Sequence, residues 1–176
     1  MRKGIIFVSA SRCVACRRCA MACATAHSPF DDFFDLVRLG GAAAPRVVCI
    51  PVGAGVVPVE CGQCRDAPCI AACPAGALAR TDEDSPVLIR PGLCVGCRSC
   101  VVACPYGAIR VSAATGEVLK CDLCIELTEA GGTPACVEAC PTRCLTFAAA
   151  ESPEADADRP QKPLAAGEGE TIRDGD

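Results

Sequence analysis

Apolar residues along this chain come in short runs separated by turn formers. Ile5–Val8, Val47–Pro51, Val87–Arg90, Ala108–Val111, Glu117–Lys120 and Leu145–Ala148 have the length and the β-branched content of strands. Ala114-Thr115-Gly116 reads as a hairpin turn between two of them. One phrase recurs after a Cys-Pro step: Ala75-Gly76-Ala77-Leu78, Tyr106-Gly107-Ala108-Ile109 and, more loosely, Thr142-Arg143-Cys144-Leu145. Each predicts a helical turn, then a residue able to take φ > 0, then a strand. The segment 27–60 has few regular signals and is predicted as a long connection wrapping the surface. The longest apolar stretches are interrupted by Pro51, Pro58 and glycines. No run reaches the roughly 18 residues of a membrane-spanning helix, so no direct membrane span is expected.

Composition changes this picture. Five Phe, one Tyr and no Trp stand against 18 cysteines in 176 residues. So few large rings leave the middle of the fold to be filled by something other than side chains. A secreted disulfide scaffold is one reading of so many cysteines. The first cysteine is Cys13, however, and the opening Met1-Arg2-Lys3-Gly4 is followed by only four apolar residues, with no twin-arginine signal. The expectation is a reducing, cytoplasmic setting, where clustered thiols mean metal. Export together with a partner stays open.

Sixteen of the cysteines fall into four groups. Group one is Cys13-x2-Cys16-x2-Cys19-x3-Cys23, and group two is Cys61-x2-Cys64-x4-Cys69-x3-Cys73-Pro74. Group three is Cys94-x2-Cys97-x2-Cys100-x3-Cys104-Pro105, and group four is Cys121-x2-Cys124-x11-Cys136-x3-Cys140-Pro141. Cys49 and Cys144 are left over and read as packed small hydrophobes. Four sets of four thiolates are the ligand count of four [4Fe–4S] cubanes. Three cysteines two apart on a tight loop can aim at three corners of one cube. The fourth cysteine is expected to start a helical turn leading away from its own loop, and the proline after it to suit that helix's first turn. Zinc is the alternative, but two-pair zinc sites would strand the third cysteine of groups one and three.

Groups two and three are expected to close as an inner two-cluster module, 53–118. Groups one and four would close around it as a discontinuous outer module, 1–52 plus 119–150. The predicted fold class is α+β, two ferredoxin-like modules nested one in the other. The stretch 151–176 carries eight acidic residues against Arg159, Lys162 and Arg173, whereas 1–150 is close to neutral. It is expected to be an extended acidic arm docking on a partner or on a second copy. Arg12, Arg17, Arg18, Arg65, Arg98 and Arg143 flank ligands, and read either as offsetting cluster charge or as ordinary solvated arginines. His27 is the only histidine and Tyr106 follows Cys104-Pro105, where it is expected to pack on a cluster.

Four motifs in this order, with the long gap inside the fourth, resemble the four-cluster iron–sulfur subunits of the dimethyl sulfoxide reductase type. Ala22-Cys23-Ala24-Thr25-Ala26-His27-Ser28, which lacks a proline after Cys23, is similar to the small electron carriers of that family. These serve carbon monoxide dehydrogenase, hydrogenases and tungsten aldehyde oxidoreductases. The resemblance covers 13–147 and implies crossed ligand sets. Cys13, Cys16, Cys19 and Cys140 would hold the first cluster; Cys61, Cys64, Cys69 and Cys104 the second. Cys94, Cys97, Cys100 and Cys73 would hold the third; Cys121, Cys124, Cys136 and Cys23 the fourth. Spacing alone says only that each motif's last cysteine leaves its own loop.

The function this implies is single-electron relay between a catalytic oxidoreductase subunit and an acceptor, with no catalytic residue of its own. The catalytic partner would carry a metal–pterin, a nickel–iron site or similar, and a flavin subunit could take part. The alternatives are a catalytic iron–sulfur enzyme subunit, which would leave one iron free for substrate, and a zinc-binding interaction module. A nearly neutral body offers no basic face for nucleic acid. Phosphate-loop, dinucleotide and zincin motifs do not occur.

Overall fold

The computed structural model describes residues 4–39, 44–53 and 55–148. The expected acidic arm, 151–176, lies outside them. In chain order the elements are β1 (Ile5–Val8), α1 (Arg18–Ala26), α2 (Phe33–Arg38), β2 (Val48–Val52), β3 (Gly55–Val59), α3 (Pro68–Ala71), β4 (Leu78–Ala79) and β5 (Leu88–Ile89). They continue with α4 (Ser99–Ala103), β6 (Ile109–Val111), β7 (Val118–Lys120), α5 (Ile125–Glu129), α6 (Ala135–Glu138) and β8 (Leu145–Ala148). The fold is a small mixture of short helices and short strands. The strands form four two-stranded antiparallel ladders: β1 with β8, β2 with β3, β4 with β5 and β6 with β7.

The β1–β8 ladder joins residues that lie ahead of group one to residues that lie behind group four. Ile5 faces Ala148, and Val8 faces Leu145. The Ser9 amide extends the ladder by donating to the Cys144 carbonyl at 2.8 Å. Phe7 and Leu145 are fully buried there. Among the helices, α1 lies on α6, and α3 on α4.

Two expectations are corrected. The helical turn of each motif does not begin at the last cysteine. It carries the third one: Cys69 lies in α3, Cys100 in α4 and Cys136 in α6, and Cys73, Cys104 and Cys140 follow their ends. Cys19 and Cys23 both lie in the longer α1. Pro74, Pro105 and Pro141 therefore do not open helices; they stop them, because a proline cannot continue the hydrogen-bond ladder. Segment 27–60 is not featureless either, for it contains α2 and the β2–β3 hairpin. Asp32 caps α2 by accepting from the Asp35 amide at 2.8 Å. In the hairpin Cys49 faces Pro58 and Pro51 faces Val56. Both prolines are tolerated because each strand of an isolated pair has an edge that needs no donor. The remaining strands fall within a residue or so of their predicted ends.

The interior is largely sulfur. Of ten buried residues in the larger apolar cluster, five are Cys19, Cys23, Cys61, Cys121 and Cys136, set among Ile6, Val47, Ala108, Leu123 and Leu145. The smaller cluster gathers Cys69 and Cys100 with Ala67, Leu78, Val87 and Ile109. The eleven residues between Cys124 and Cys136 are occupied by α5 and a turn, in which the Gly132 amide donates to the Leu127 carbonyl at 2.8 Å.

Candidate metal centres

The four cysteine loops share a left-handed residue at one offset from the first cysteine. The residue two after each first cysteine is left-handed: Ala15 (φ 57°), Gln63 (45°), Gly96 (68°) and Leu123 (62°). A second left-handed residue precedes the helix after the loop, at Arg17, Ala67, Arg98 and Cys124. A third follows three residues after the last cysteine, at Gly76 (φ 61°), Gly107 (61°) and Arg143 (53°), as the repeated phrase predicts. Gly76, Gly96 and Gly107 take this conformation freely; the other residues are strained in it. Left-handed residues in these loops turn neighbouring amides towards sulfur, as at Ala77 and Leu123. Such concavities of N–H groups stabilise an anion.

The amides meet sulfur directly. Ala77 donates to Cys73 Sγ at 3.3 Å, Leu123 to Cys121 Sγ at 3.4 Å and Arg46 to Cys23 Sγ at 3.2 Å. The Leu78, Ala77 and Ala75 amides lower the Cys73 thiol. At Cys140 partial burial opposes the shift, but the amides of Leu145, Cys144 and Thr142, with the Thr142 side chain, also draw it down. The two cysteines thus have amide partners at the same offsets, two, four and five residues on. A donor set of thiols ringed by amide donors suits an anionic iron–sulfur group.

The structure brings several of the expected sets together. One cavity is lined by Cys94, Cys97, Cys100 and, from the preceding motif, Cys73. Burial raises the Cys64 and Cys69 thiols, and both also feel Cys61 and Cys104. Burial pushes Cys136 far up, and after Glu60 its charged neighbours are Cys121, Cys23 and Cys124. The first set differs. Burial, then Cys49 and Glu60, pushes the Cys19 thiol up to about 12. Cys49 also feels Cys13. Cys140 instead has Thr142 Oγ1 at 3.8 Å. Exposure divides the loops: Cys16, Cys94 and Cys97 are exposed, whereas groups two and four expose none of their cysteines. No disulfide joins cysteines among the described residues.

Several residues near these sites carry no sequence signal. The Asp122 carboxylate accepts from the Cys124 amide at 3.0 Å, pairs with the Arg46 guanidinium and lies 3.0 Å from His27 Nε2. His27 Nδ1 lies 2.7 Å from the Cys23 carbonyl oxygen. Burial disfavours charge on His27, yet Asp122 and Cys23 raise it to about 10. This knot ties the loop of group four to the end of α1. Glu60 is buried beside Cys61, with Oε1 lacking a hydrogen-bond partner among the described residues. Burial pushes its carboxyl up to about 8. Gln63 and Lys120 are buried as well. The six arginines singled out in the sequence are all exposed, which is the solvated reading. Tyr106 lies over Gly62 of group two, where an added Cβ would come within 3.0 Å of its ring. Cys144 is buried, as expected; Cys49 is only half-buried and engages Cys19.

A small α+β fold whose interior is a repeated set of thiol loops with inward-facing amides defines an iron–sulfur protein of the ferredoxin-like kind. Residues 52–150 match the 4Fe-4S dicluster domain family, and the chain belongs to that family. It is 38% identical over 153 residues to an iron–sulfur protein of Rhodospirillum rubrum, covering 80% of each protein. To the electron transport protein HydN of Escherichia coli it is 36% identical over 155 residues, 80% of this chain and 85% of that protein. To the B subunit of anaerobic dimethyl sulfoxide reductase of Escherichia coli it is 34% identical over 146 residues, 80% of this chain and 71% of that subunit. The protein is an iron–sulfur electron-transport subunit that carries 4Fe-4S clusters. No helix among the described residues is long and apolar enough to cross a membrane.

Proposed function

We propose that the sixteen motif cysteines hold four [4Fe–4S] clusters in crossed sets and that the chain relays electrons between a catalytic oxidoreductase subunit and an acceptor. The sets are Cys13, Cys16, Cys19 with Cys140; Cys61, Cys64, Cys69 with Cys104; Cys94, Cys97, Cys100 with Cys73; and Cys121, Cys124, Cys136 with Cys23. The observation that carries this reading is the cavity where Cys73 joins the three loop cysteines of the next motif. The pairing of α3 with α4 and of α1 with α6 supports two nested modules, 53–118 inside 1–52 plus 119–150. Bound in these loops, the clusters supply one-electron transfer.

The chain's own residues do the rest. Loop amides donate to the sulfurs and hold the thiolates in one geometry. Buried apolar neighbours such as Leu123, Val47 and Ile109 keep water away. The exposed Cys16, Cys94 and Cys97 mark the first and third sites as the ones a redox partner can reach. Groups two and four lie further inside. The relatives are named as reductase subunits or electron-transport proteins, which supports a catalytic partner subunit; a metal–pterin or nickel–iron enzyme fits this role, with a flavin subunit as acceptor. A thiol-rich chain without disulfides among its described residues fits a reducing compartment.

Anaerobic metal and sulfide analysis of the purified protein tests the reading. About sixteen iron and about sixteen sulfide per chain are expected, with little zinc. About four zinc and no sulfide would replace it with a zinc module.

A further inference from the structure

Lys120 ends β7, immediately before Cys121, and is buried. Its ammonium donates to the Val87 and Cys121 carbonyl oxygens, each at 2.8 Å, and lies 3.4 Å from Gln63 Oε1. No ion pair of Lys120 with a carboxylate occurs among the described residues. Gln63 belongs to the loop of group two, between Cys61 and Cys64. It donates to the same Cys121 carbonyl at 3.0 Å and accepts from the Val87 amide at 2.9 Å. Lys120 and Gln63 therefore staple the group-two loop to the group-four loop, with Val87, just ahead of β5, as the third point of attachment.

A cation taken out of water and given only neutral oxygens is costly. Something anionic must offset it. Its polar partners tie it to both loops: Gln63 lies between Cys61 and Cys64 of group two, and the Cys121 carbonyl belongs to the first cysteine of group four. Gln63, inside the group-two loop, also donates to the Cys121 carbonyl, so the two loops are direct neighbours. With thiolate-bound clusters in both loops, the buried ammonium would sit between two anions, where charge is less screened than in water.

We propose that Lys120 is a shared counter-ion of the second and fourth cluster sites, positioned by Gln63, and that its charge holds up the reduction potentials of those two clusters together. Adding an electron to either one adds negative charge beside a fixed positive charge, so reduction is favoured at both. The inference rests on the ligand sets proposed above.

The test is potentiometric titration, followed by electron paramagnetic resonance, of the intact chain and of Lys120→Gln, with iron counted in both. Four cluster signals in the unaltered protein establish the sets independently of Lys120; fewer signals there would sink the ligand sets themselves. In Lys120→Gln two signals should move to lower potential, each by about tenfold in the reduction equilibrium, which is about 59 mV for one electron. The other two should stay. Lys120→Arg, which keeps the charge, should titrate close to the unaltered protein. Gln63→Glu, which gives Lys120 an anionic partner, should lower the same two signals. Unchanged potentials in Lys120→Gln, or an equal shift of all four, would overturn the proposal. So would loss of all four clusters from both Lys120→Gln and Gln63→Glu, because a counter-ion at two sites leaves the other two able to assemble.

Discussion

A side chain held at φ near +60° is disfavoured by contact of its Cβ with the following carbonyl, by about 1–2 kcal/mol. This chain accepts that cost at eight non-glycine positions among the described residues, Ala15 and Arg143 included. The cost is repaid where the turned amides meet sulfur. At Gly4 the demand is stricter, because φ is +112° and an added Cβ would come within 2.6 Å of the Phe147 ring. Gly4→Ala is therefore expected to lower stability by about 1–3 kcal/mol by opening the β1–β8 ladder. Gly92→Ala, which meets nothing within 4 Å, should be close to neutral. Thermal unfolding of the two anaerobically purified, iron-loaded variants measures the difference. At this scale the thiol loops were legible because the cysteine spacing is written along the chain. Lys120, Gln63 and Glu60 were not: a charged or polar residue in a short strand or loop normally faces water, and only the meeting of two distant loops buries these three.

Groups two to four each end in a short helix with the third cysteine, the last cysteine just beyond it, and a left-handed turn into a strand, whereas in group one the longer α1 carries both Cys19 and Cys23. The direction of that last cysteine decides which site it serves. Cys73→Ser is expected to remove about one cluster, roughly four iron atoms, with loss of the signal of the Cys94, Cys97 and Cys100 site. Cys49→Ala should keep its iron. Iron counts and the resonance spectra of the two variants decide this, and loss of the group-two signal in Cys73→Ser would show an uncrossed set. The elements themselves were readable where an apolar run stands alone between turns, as for Ile5–Val8 and Leu145–Ala148, whose observed ends match the predicted ones. The strand Gly55–Val59 was missed because Pro58 and the glycines before it look like a break, and a two-stranded hairpin forgives both. The helices were placed one step too late. Proline after a cysteine is equally good as a start or a stop, and only the hydrogen-bonded turn distinguishes them.

The molecule as a whole has few large side chains in its middle and many thiols. Half of the larger apolar cluster is cysteine, and buried thiols such as Cys19 and Cys136 resist losing their protons unless a metal takes the proton's place. Folding and metal loading are thus expected to be one event. Removing iron anaerobically with a chelator should abolish the cooperative thermal transition and most of the ordered secondary structure, read by circular dichroism. A protein that kept both would have a core independent of its metal. The architecture was legible as a small α+β fold around thiol loops; the ties through Lys120 and the His27–Asp122–Arg46 knot were not, because they join residues far apart in sequence.

The β1–β8 ladder joins the two ends of the described body, and this has a consequence for how the chain is made. A ribosome releases Ile5–Val8 and the three loop cysteines of group one long before it releases Cys140 and Leu145–Ala148. The second and third sites, by contrast, have all their proposed ligands within 61–104. During synthesis the inner pair can be completed while the chain is still tethered, whereas the early strand and the first loop must wait, open and oxygen-sensitive, for the last quarter of the described body. With the proposed ligand sets, biogenesis would run from the middle outward, and the outer pair would be where a nascent chain most needs protection by an assembly factor or an anaerobic cell.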